Sequence, residues 1–252
     1  MHAIVLAGGS GDQLALSHGM NNKAFLPIND IPMVAYVIDA LIKCRSVSTI
    51  AVVGPIEELA QVVPAGITLL PDQHDIVDNI VMATQQVPDA EKVMVCTSDI
   101  PMITPEIIDG LLQEMETREA DLYYPIIRQD VCEARYPGVK RTYARLQDGA
   151  FTGGNIFVFR PDELPRLAEI IRRLLAERKN PAKMCLMFGW PGIGLVAKLV
   201  RGSLTLAEFE ARVSRILGIT GAAIVCSYPE VGTDVDKDSD LELARQALRV
   251  GS

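Results

Sequence analysis

The chain contains no C-x-x-C pair, no cluster of histidines, no excess of basic residues and no uninterrupted apolar run of membrane-spanning length. Its five cysteines (Cys44, Cys96, Cys132, Cys185 and Cys226) are scattered and odd in number. That excludes a disulfide framework and a zinc site of ordinary spacing, and it points to a reducing cytoplasm. His2, His18 and His74 stand alone, so none is assigned a ligand role. Twenty-four Lys and Arg against 32 Asp and Glu leave a formal charge of −8. A nucleic-acid or anionic-membrane partner calls for a basic face and is not expected here. The N-terminus has no basic n-region and no extended apolar h-region, so no export signal is expected. The most apolar stretch, residues 184–197 around Trp190, is too short to span a bilayer and is broken by Gly and Pro. It reads as a buried run under the core, with a dimer contact or a pocket for an apolar substrate as the alternatives. A homo-oligomer stays open.

What the chain does have begins at its first residues. Ala3-Ile4-Val5-Leu6-Ala7-Gly8-Gly9-Ser10-Gly11 is a short apolar strand running directly into glycines, with Lys23 following in Asn22-Lys23-Ala24-Phe25-Leu26-Pro27. Residues without side chains let backbone N–H groups approach an anion closely, and a lysine adds charge, so the pattern reads as a phosphate site. The spacing fits neither the dinucleotide fingerprint G-x-G-x-x-G nor the P-loop G-x-x-x-x-G-K-[ST].

Strand and helix signals then alternate. Strands are expected at 4–7, 49–53, 67–70 and 92–96, and helices at 33–44, 76–86 and from Thr104-Pro105 to about 118, where Thr is the N-cap and Pro the first helical residue. From 121 to 160 the pattern turns to strands and loops. From 165 to 218 it is helical, with a capping box at Thr205 and Glu208. A strand at 223–226 and a closing helix at 241–248 complete the chain. The expectation is a single α/β domain over 1–252, with a helical elaboration at about 161–220.

Two acidic groups fall where chemistry is expected. Asp99, in Cys96-Thr97-Ser98-Asp99-Ile100-Pro101, follows a buried strand at the carboxyl edge of the sheet, the side on which open α/β sheets bind ligands. The second group is Thr233-Asp234-Val235-Asp236-Lys237-Asp238-Ser239-Asp240. It cannot be an EF-hand, because counted from Asp234 the sixth and twelfth positions are Ser239 and Arg245 rather than Gly and Glu. Asp240 suits the first turn of the last helix. The plain alternatives are a turn residue at Asp99, a solvated acidic turn at 234–238 and a solvated Lys23.

Together these motifs resemble the sugar-phosphate and molybdopterin-type nucleotidyltransferases, closest to the MobA-like branch: the L-A-[AG]-G-x-G opening, the lysine segment, the D-x-P turn and the D-x-D-x-x-x-D-L close. The resemblance implies a three-layer Rossmann-like nucleotide-diphospho-sugar transferase fold with a mostly parallel mixed sheet. It implies an enzyme that transfers NMP from an NTP to a phosphorylated acceptor with release of pyrophosphate. The acceptor would be molybdopterin for guanylyl transfer, or a sugar or polyol phosphate for cytidylyl or uridylyl transfer. Lys23, Asp99 and Asp236 would be catalytic. Leu6, Ala7, Gly8, Gly9, Ser10 and Gly11, with Lys23, Asp78 and Asn79, would bind the nucleotide. Asp99 and Asp236, helped by Asp234, would hold Mg²⁺, and Thr152, Gly153, Gly154, Asn155 and Arg141 would meet the acceptor at about 121–160. Helix capping remains the alternative for Asp78 and Asn79, and a hairpin turn for Gly153-Gly154. The chain departs from the pattern at Asp12-Gln13, where relatives have Thr-Arg. That departure is the one support for a non-catalytic nucleotide sensor on the same fold.

Overall fold

Alternate residues of the central strands are buried on opposite sides of the sheet, and this produces three layers. The computed structural model describes residues 1–87, 89–176 and 190–249. Its first strands are β1 (His2–Leu6), β2 (Pro27–Ile28), β3 (Ile31–Pro32), β4 (Thr49–Gly54), β5 (Thr68–Pro71) and β6 (Val93–Thr97). Then come β7 (Leu122–Arg128), β8 (Ala144–Leu146), β9 (Gly149–Gly153), β10 (Ile156–Phe159) and β11 (Gly221–Cys226). The main sheet runs β5-β4-β1-β6-β10-β7-β9-β8, with β11 on the other side of β7. Its β5, β4, β1 and β6 are mutually parallel, as are β7 and β11, while β10 joins β6 to β7 antiparallel. This is the mixed, mostly parallel sheet expected. β2 and β3 form a separate small ribbon.

The helices are α1 (Gln13–Ser17), α2 (Met33–Lys43), α3 (Ile56–Val62), α4 (Ile76–Thr84), α5 (Pro105–Glu116) and α6 (Gln129–Arg135). They continue with α7 (Leu164–Ala176), α8 (Trp190–Val200), α9 (Leu206–Leu217) and α10 (Asp238–Arg249). Ala3 and Val5 of β1 and Met94 and Cys96 of β6 pack against α2 and α5 through Val34, Val37, Leu41, Ile108 and Leu111. Ile4, Val93 and Val95 face the opposite way, onto Ile80 and Ala83 of α4 and onto Phe159 and Leu164. A smaller cluster, with Leu14, Leu26, Ile28, Met33, Val235 and Leu241, joins both ends of the chain. It anchors the Lys23 turn and the acidic loop side by side.

The capping signals act as expected. Thr104 accepts from Ile107 N, and Thr205 and Glu208 form a reciprocal capping box ahead of α9, which ends in Gly218 at φ 67°. Helices α1, α3 and α6 were not foreseen. They are short and bury few residues (in α6 only Cys132 is fully enclosed), so their apolar periodicity is weak. The glycines at 149–154 also differ from a simple turn: Gly149–Gly153 is strand β9, and the tight connection falls at Gln147-Asp148. In the apolar stretch, residues 184–189 lie outside the described residues, while Leu195 of α8 is buried against Leu204.

Asp109 of α5 shows how a helix surface holds a loop. Its carboxylate accepts from the Cys44 thiol, the Arg45 and Ser46 amides and the Ser46 hydroxyl. The Ser46 hydroxyl bond, opposed by partial burial and supported by the Cys44 and backbone bonds, lowers its pKa to about 2. A depressed carboxylate stabilises the fold above its unfolded pKa, and that contribution is lost as pH falls through the folded value. Asp109→Asn is therefore expected to cost about 1 kcal/mol at neutral pH after solvent screening, roughly 2–4 °C in Tm. Denaturant melts should show the gap to wild type closing below about pH 4; a gap independent of pH would contradict this.

Candidate active site

Strands β1 and β6 lie side by side and parallel, with Leu6 opposite Thr97, so the residues that follow them emerge together at the carboxyl edge. Ala7 N donates to Val53 O, and Ser98 N to Leu6 O, which carries the pairing one step past each strand. Beyond them lie the glycine loop and Asp99. The loop is held by a group that the motif does not contain. Gly9 N donates to Asp72 Oδ2 at 3.0 Å, and a Cβ on Gly8 would stand 2.7 Å from the Asp72 carboxyl. Only glycine permits that approach, and Gly9 itself has φ 95°.

Lys23 begins a short 3₁₀ turn capped by Asn22. The Asn22 side chain also donates to Ala7 O at 2.7 Å, tying the turn to the end of β1. From there the Lys23 ammonium reaches Asp99 Oδ2 and Asp236 Oδ1, each at 2.7 Å. Burial alone would lower the Lys23 pKa, but the Asp99 charge and the hydrogen bonds that Lys23 donates to Asp236 and Asp99 outweigh it and raise it. The other Asp99 oxygen, Oδ1, accepts from the Thr97 hydroxyl at 2.5 Å, and Asp99 O accepts from Val235 N at 2.9 Å. Asp236 N donates to the buried Asp240 carboxylate, in the first turn of α10 as the sequence suggested.

Asp99, Asp234 and Asp236 each offer a carboxylate oxygen, and these atoms lie within 4.8 Å of one another. Burial, reinforced by the charges of Asp236 and Asp99, pushes the Asp234 carboxyl up to about 7. Three acids face one lysine, so the cluster carries more negative charge than its own cation balances. Hard oxygen donors, converging and under-neutralised, are chemistry suited to a divalent cation such as Mg²⁺. Asp234, expected only to assist, belongs to the group as closely as the other two.

Other sequence candidates are placed differently. Asp12 is the N-cap of α1 and accepts from Leu14 N and Ala15 N. Asp12, one half of the Asp12-Gln13 departure, therefore has a structural role as a helix cap. Asn79 is buried, with its amide engaged by Gln73 N and Asp72 Oδ1. It supports the residue that holds the glycine loop and does not face open space. Asp78 is exposed at the N-terminus of α4 and is paired with Arg172 of α7. Asn155 donates from its main-chain N–H to Val231 O at 2.8 Å and from its side-chain amide to the same carbonyl at 3.4 Å, its main-chain carbonyl accepts from Thr97 N, and Arg141 donates to Gly232 O and Thr233 Oγ1. Both back the acidic loop. Thr152 and Gly153 lie at the end of β9 opposite Ile127 and Ile126, on the same sheet edge. Asp72 lies outside the motif it serves and has no signal in the sequence, while Asn22 stands beside Lys23 but its bond to Ala7 O spans 15 residues, which no local pattern records.

Comparisons with known proteins give the family and the fold. A family model described as the MobA-like NTP transferase domain matches residues 3–188. The structure resembles one titled a hypothetical transferase from Thermus thermophilus, at 40% identity and TM-score 0.83, over 95% of this chain and 98% of that one. It shares its fold with CMP:2-keto-3-deoxy-manno-octonic acid synthetase complexed with CTP, at 17% identity and TM-score 0.62, over 100% and 99% of the two chains. A nucleotidyl transferase from Methanothermobacter thermautotrophicus aligns at 13% identity and TM-score 0.56, over 99% and 98%. No curated protein sequence matches the chain. With its glycine loop, lysine and acids gathered at one sheet edge, the chain belongs to the MobA-like NTP transferase family and is a nucleotidyltransferase.

Proposed function

We propose that this enzyme transfers an NMP group from an NTP to a phosphorylated small-molecule acceptor and releases pyrophosphate, with Mg²⁺ held by Asp99, Asp236 and Asp234. The observation that carries this reading is the convergence of Lys23 and the three carboxylates beside the Gly8–Gly11 loop. Loop amides other than those of Gly9 and Gly11, which Asp72 and Asn21 O hold, cradle the triphosphate, and Lys23 offsets charge developing on the α-phosphoryl oxygens. An acceptor oxygen forms a bond to Pα as the Pα–O bond to pyrophosphate breaks, so no covalent enzyme intermediate is needed. The protein's task is alignment and charge stabilisation. Bound Mg²⁺ supplies charge neutralisation on the phosphates. Asp78, with Arg172, borders the nucleobase side, while Asn79 acts through Asp72. Thr152, Gly153 and Gly154 border the acceptor. The chain is read as one domain with its acceptor region at about 121–160 and the helical elaboration at about 161–220.

Guanylyl transfer to molybdopterin and cytidylyl or uridylyl transfer to a sugar or polyol phosphate are the two substrate classes in view. A cytoplasmic location fits the four described cysteines, which are buried free thiols. Among the described residues no helix is long and apolar enough to cross a membrane. The test is pyrophosphate release from ATP, GTP, CTP and UTP with Mg²⁺ against a panel of sugar, polyol and pterin phosphates. One NTP and acceptor pair is expected to respond, and only with metal present. No release, together with no nucleotide binding by calorimetry, would overturn the proposal.

A further inference from the structure

The acidic loop needs a support that neither of its own motifs supplies. Residues 233–236 carry two of the three site carboxylates, yet the loop lies between a 3₁₀ turn and α10 with no strand of its own. It is pinned at its middle by Val235 N on Asp99 O, and at its far end by Asp236 N on Asp240. Its near end is gripped from the acceptor segment. Arg141, 92 residues away in sequence, donates from Nη2 to the Thr233 hydroxyl and from Nη1 to the Gly232 carbonyl. Thr233, 2% exposed, passes the bond on to Pro229 O at 2.6 Å. Among the described residues Arg141 forms no ion pair with a carboxylate, and its buried Nε has no hydrogen-bond partner. A guanidinium placed to receive an anionic acceptor would present its fork to open space. This fork is directed inward, spanning two adjacent acceptors of the loop.

We infer that Arg141 is a positioning residue that sets the acidic loop for cation binding, and not a contact to the acceptor. The inference rests on the metal-dependent transferase reading above. The planar guanidinium of Arg presents two nitrogens in a fixed fork that matches this carbonyl and hydroxyl, whereas the ammonium of Lys is one compact point charge on a flexible stem and does not reproduce that geometry. Groups that orient ligating carboxylates are worth about 10- to 100-fold in metal affinity. Arg141 also joins the acceptor segment to the acidic loop.

The test compares wild type, Arg141→Ala, Arg141→Lys and Thr233→Val. Thr233→Val keeps Arg141 and the shape of the loop but removes the hydroxyl. Mn²⁺ binding is measured by calorimetry, and turnover over a Mg²⁺ titration with the responding substrate pair. Positioning requires Mn²⁺ affinity about 10- to 100-fold weaker in both Arg141 variants, a smaller loss in Thr233→Val, KM for the acceptor within about twofold of wild type, and turnover largely restored by excess Mg²⁺. A raised acceptor KM with unchanged Mn²⁺ affinity would overturn the inference and make Arg141 an acceptor contact. Wild-type behaviour of Arg141→Lys would also overturn it, because charge alone would then suffice. Should Arg141→Ala not fold, Thr233→Val and Arg141→Lys decide the matter. A wild-type enzyme that binds no Mn²⁺ would instead sink the metal reading itself, a result distinct from a variant that fails to differ.

Discussion

Asp99→Asn is expected to lower kcat for nucleotidyl transfer by about a thousandfold while the protein remains folded. Asp99 joins Lys23, the end of its own strand and the acidic loop. One of its oxygens meets Lys23, the other takes the Thr97 hydroxyl, and its carbonyl holds Val235 in the acidic loop. The substitution keeps the size of the side chain and leaves the carbonyl in place, so the scaffold survives. What it removes is the negative charge that attracts both Lys23 and a divalent cation. Metal assistance is worth several kcal/mol of transition-state stabilisation, and at about 1.36 kcal/mol per decade that corresponds to roughly three decades in rate. The measurement is steady-state pyrophosphate release, paired with a thermal melt and metal calorimetry. Activity within tenfold of wild type in a folded variant would remove Asp99 from the cation site.

Lys23→Met is expected to act in two opposite directions. Transfer should fall by about a hundred- to a thousandfold, because a donor aimed at developing phosphoryl charge is lost. In the absence of nucleotide, however, Mn²⁺ should bind about tenfold more tightly or better. The ammonium sits 2.7 Å from carboxylate oxygens of two of the three acids and is itself largely enclosed, at 17% side-chain exposure. It therefore serves as their counter-charge, and an incoming cation must compete with it. Methionine fills similar space without the charge, leaving the three acids to repel one another until a metal arrives. Calorimetry with Mn²⁺ alone separates the two effects. Equal or weaker affinity in the variant would show that the ammonium and the cation do not share the same carboxylates, and unchanged turnover would remove Lys23 from the mechanism.

Where the sequence was legible, the determinant was local. The strand-to-glycine junction at Ala7-Gly8 declares itself because two consecutive small residues after a buried run permit little else. Thr104-Pro105 and the Thr205–Glu208 box mark helix starts through bonds spanning three residues. Asp99 was legible for the same reason: a buried strand followed by an acid and a proline places that acid at the sheet edge. Short, half-exposed elements such as α6 carried too little periodicity to show. The orientation of polar side chains was not legible either. Asn79 and Arg141 are residue types that serve equally well facing a ligand or a backbone, and their neighbours in sequence do not choose between these. For Asn79 the choice is made by Asp72 across the turn, and for Arg141 by a loop 91 and 92 residues downstream.

The sequence by itself therefore determined the α/β class, the carboxyl edge as the place of the site, and the kinds of group that meet there, while its motifs carried the resemblance to a fold family. Those properties follow from alternating burial, caps and glycine spacing, all interactions of short range. Only the tertiary structure decided that Lys23 stands between Asp99 and Asp236, 213 residues from the latter, that Asp234 completes the acid group, and that Asp72 clamps the glycine loop. The physical reason is that such pairings depend on strand order and on the apolar cluster joining Leu26 to Val235 and Leu241. Packing of that kind brings chain ends together at fixed geometry, and no local pattern records it.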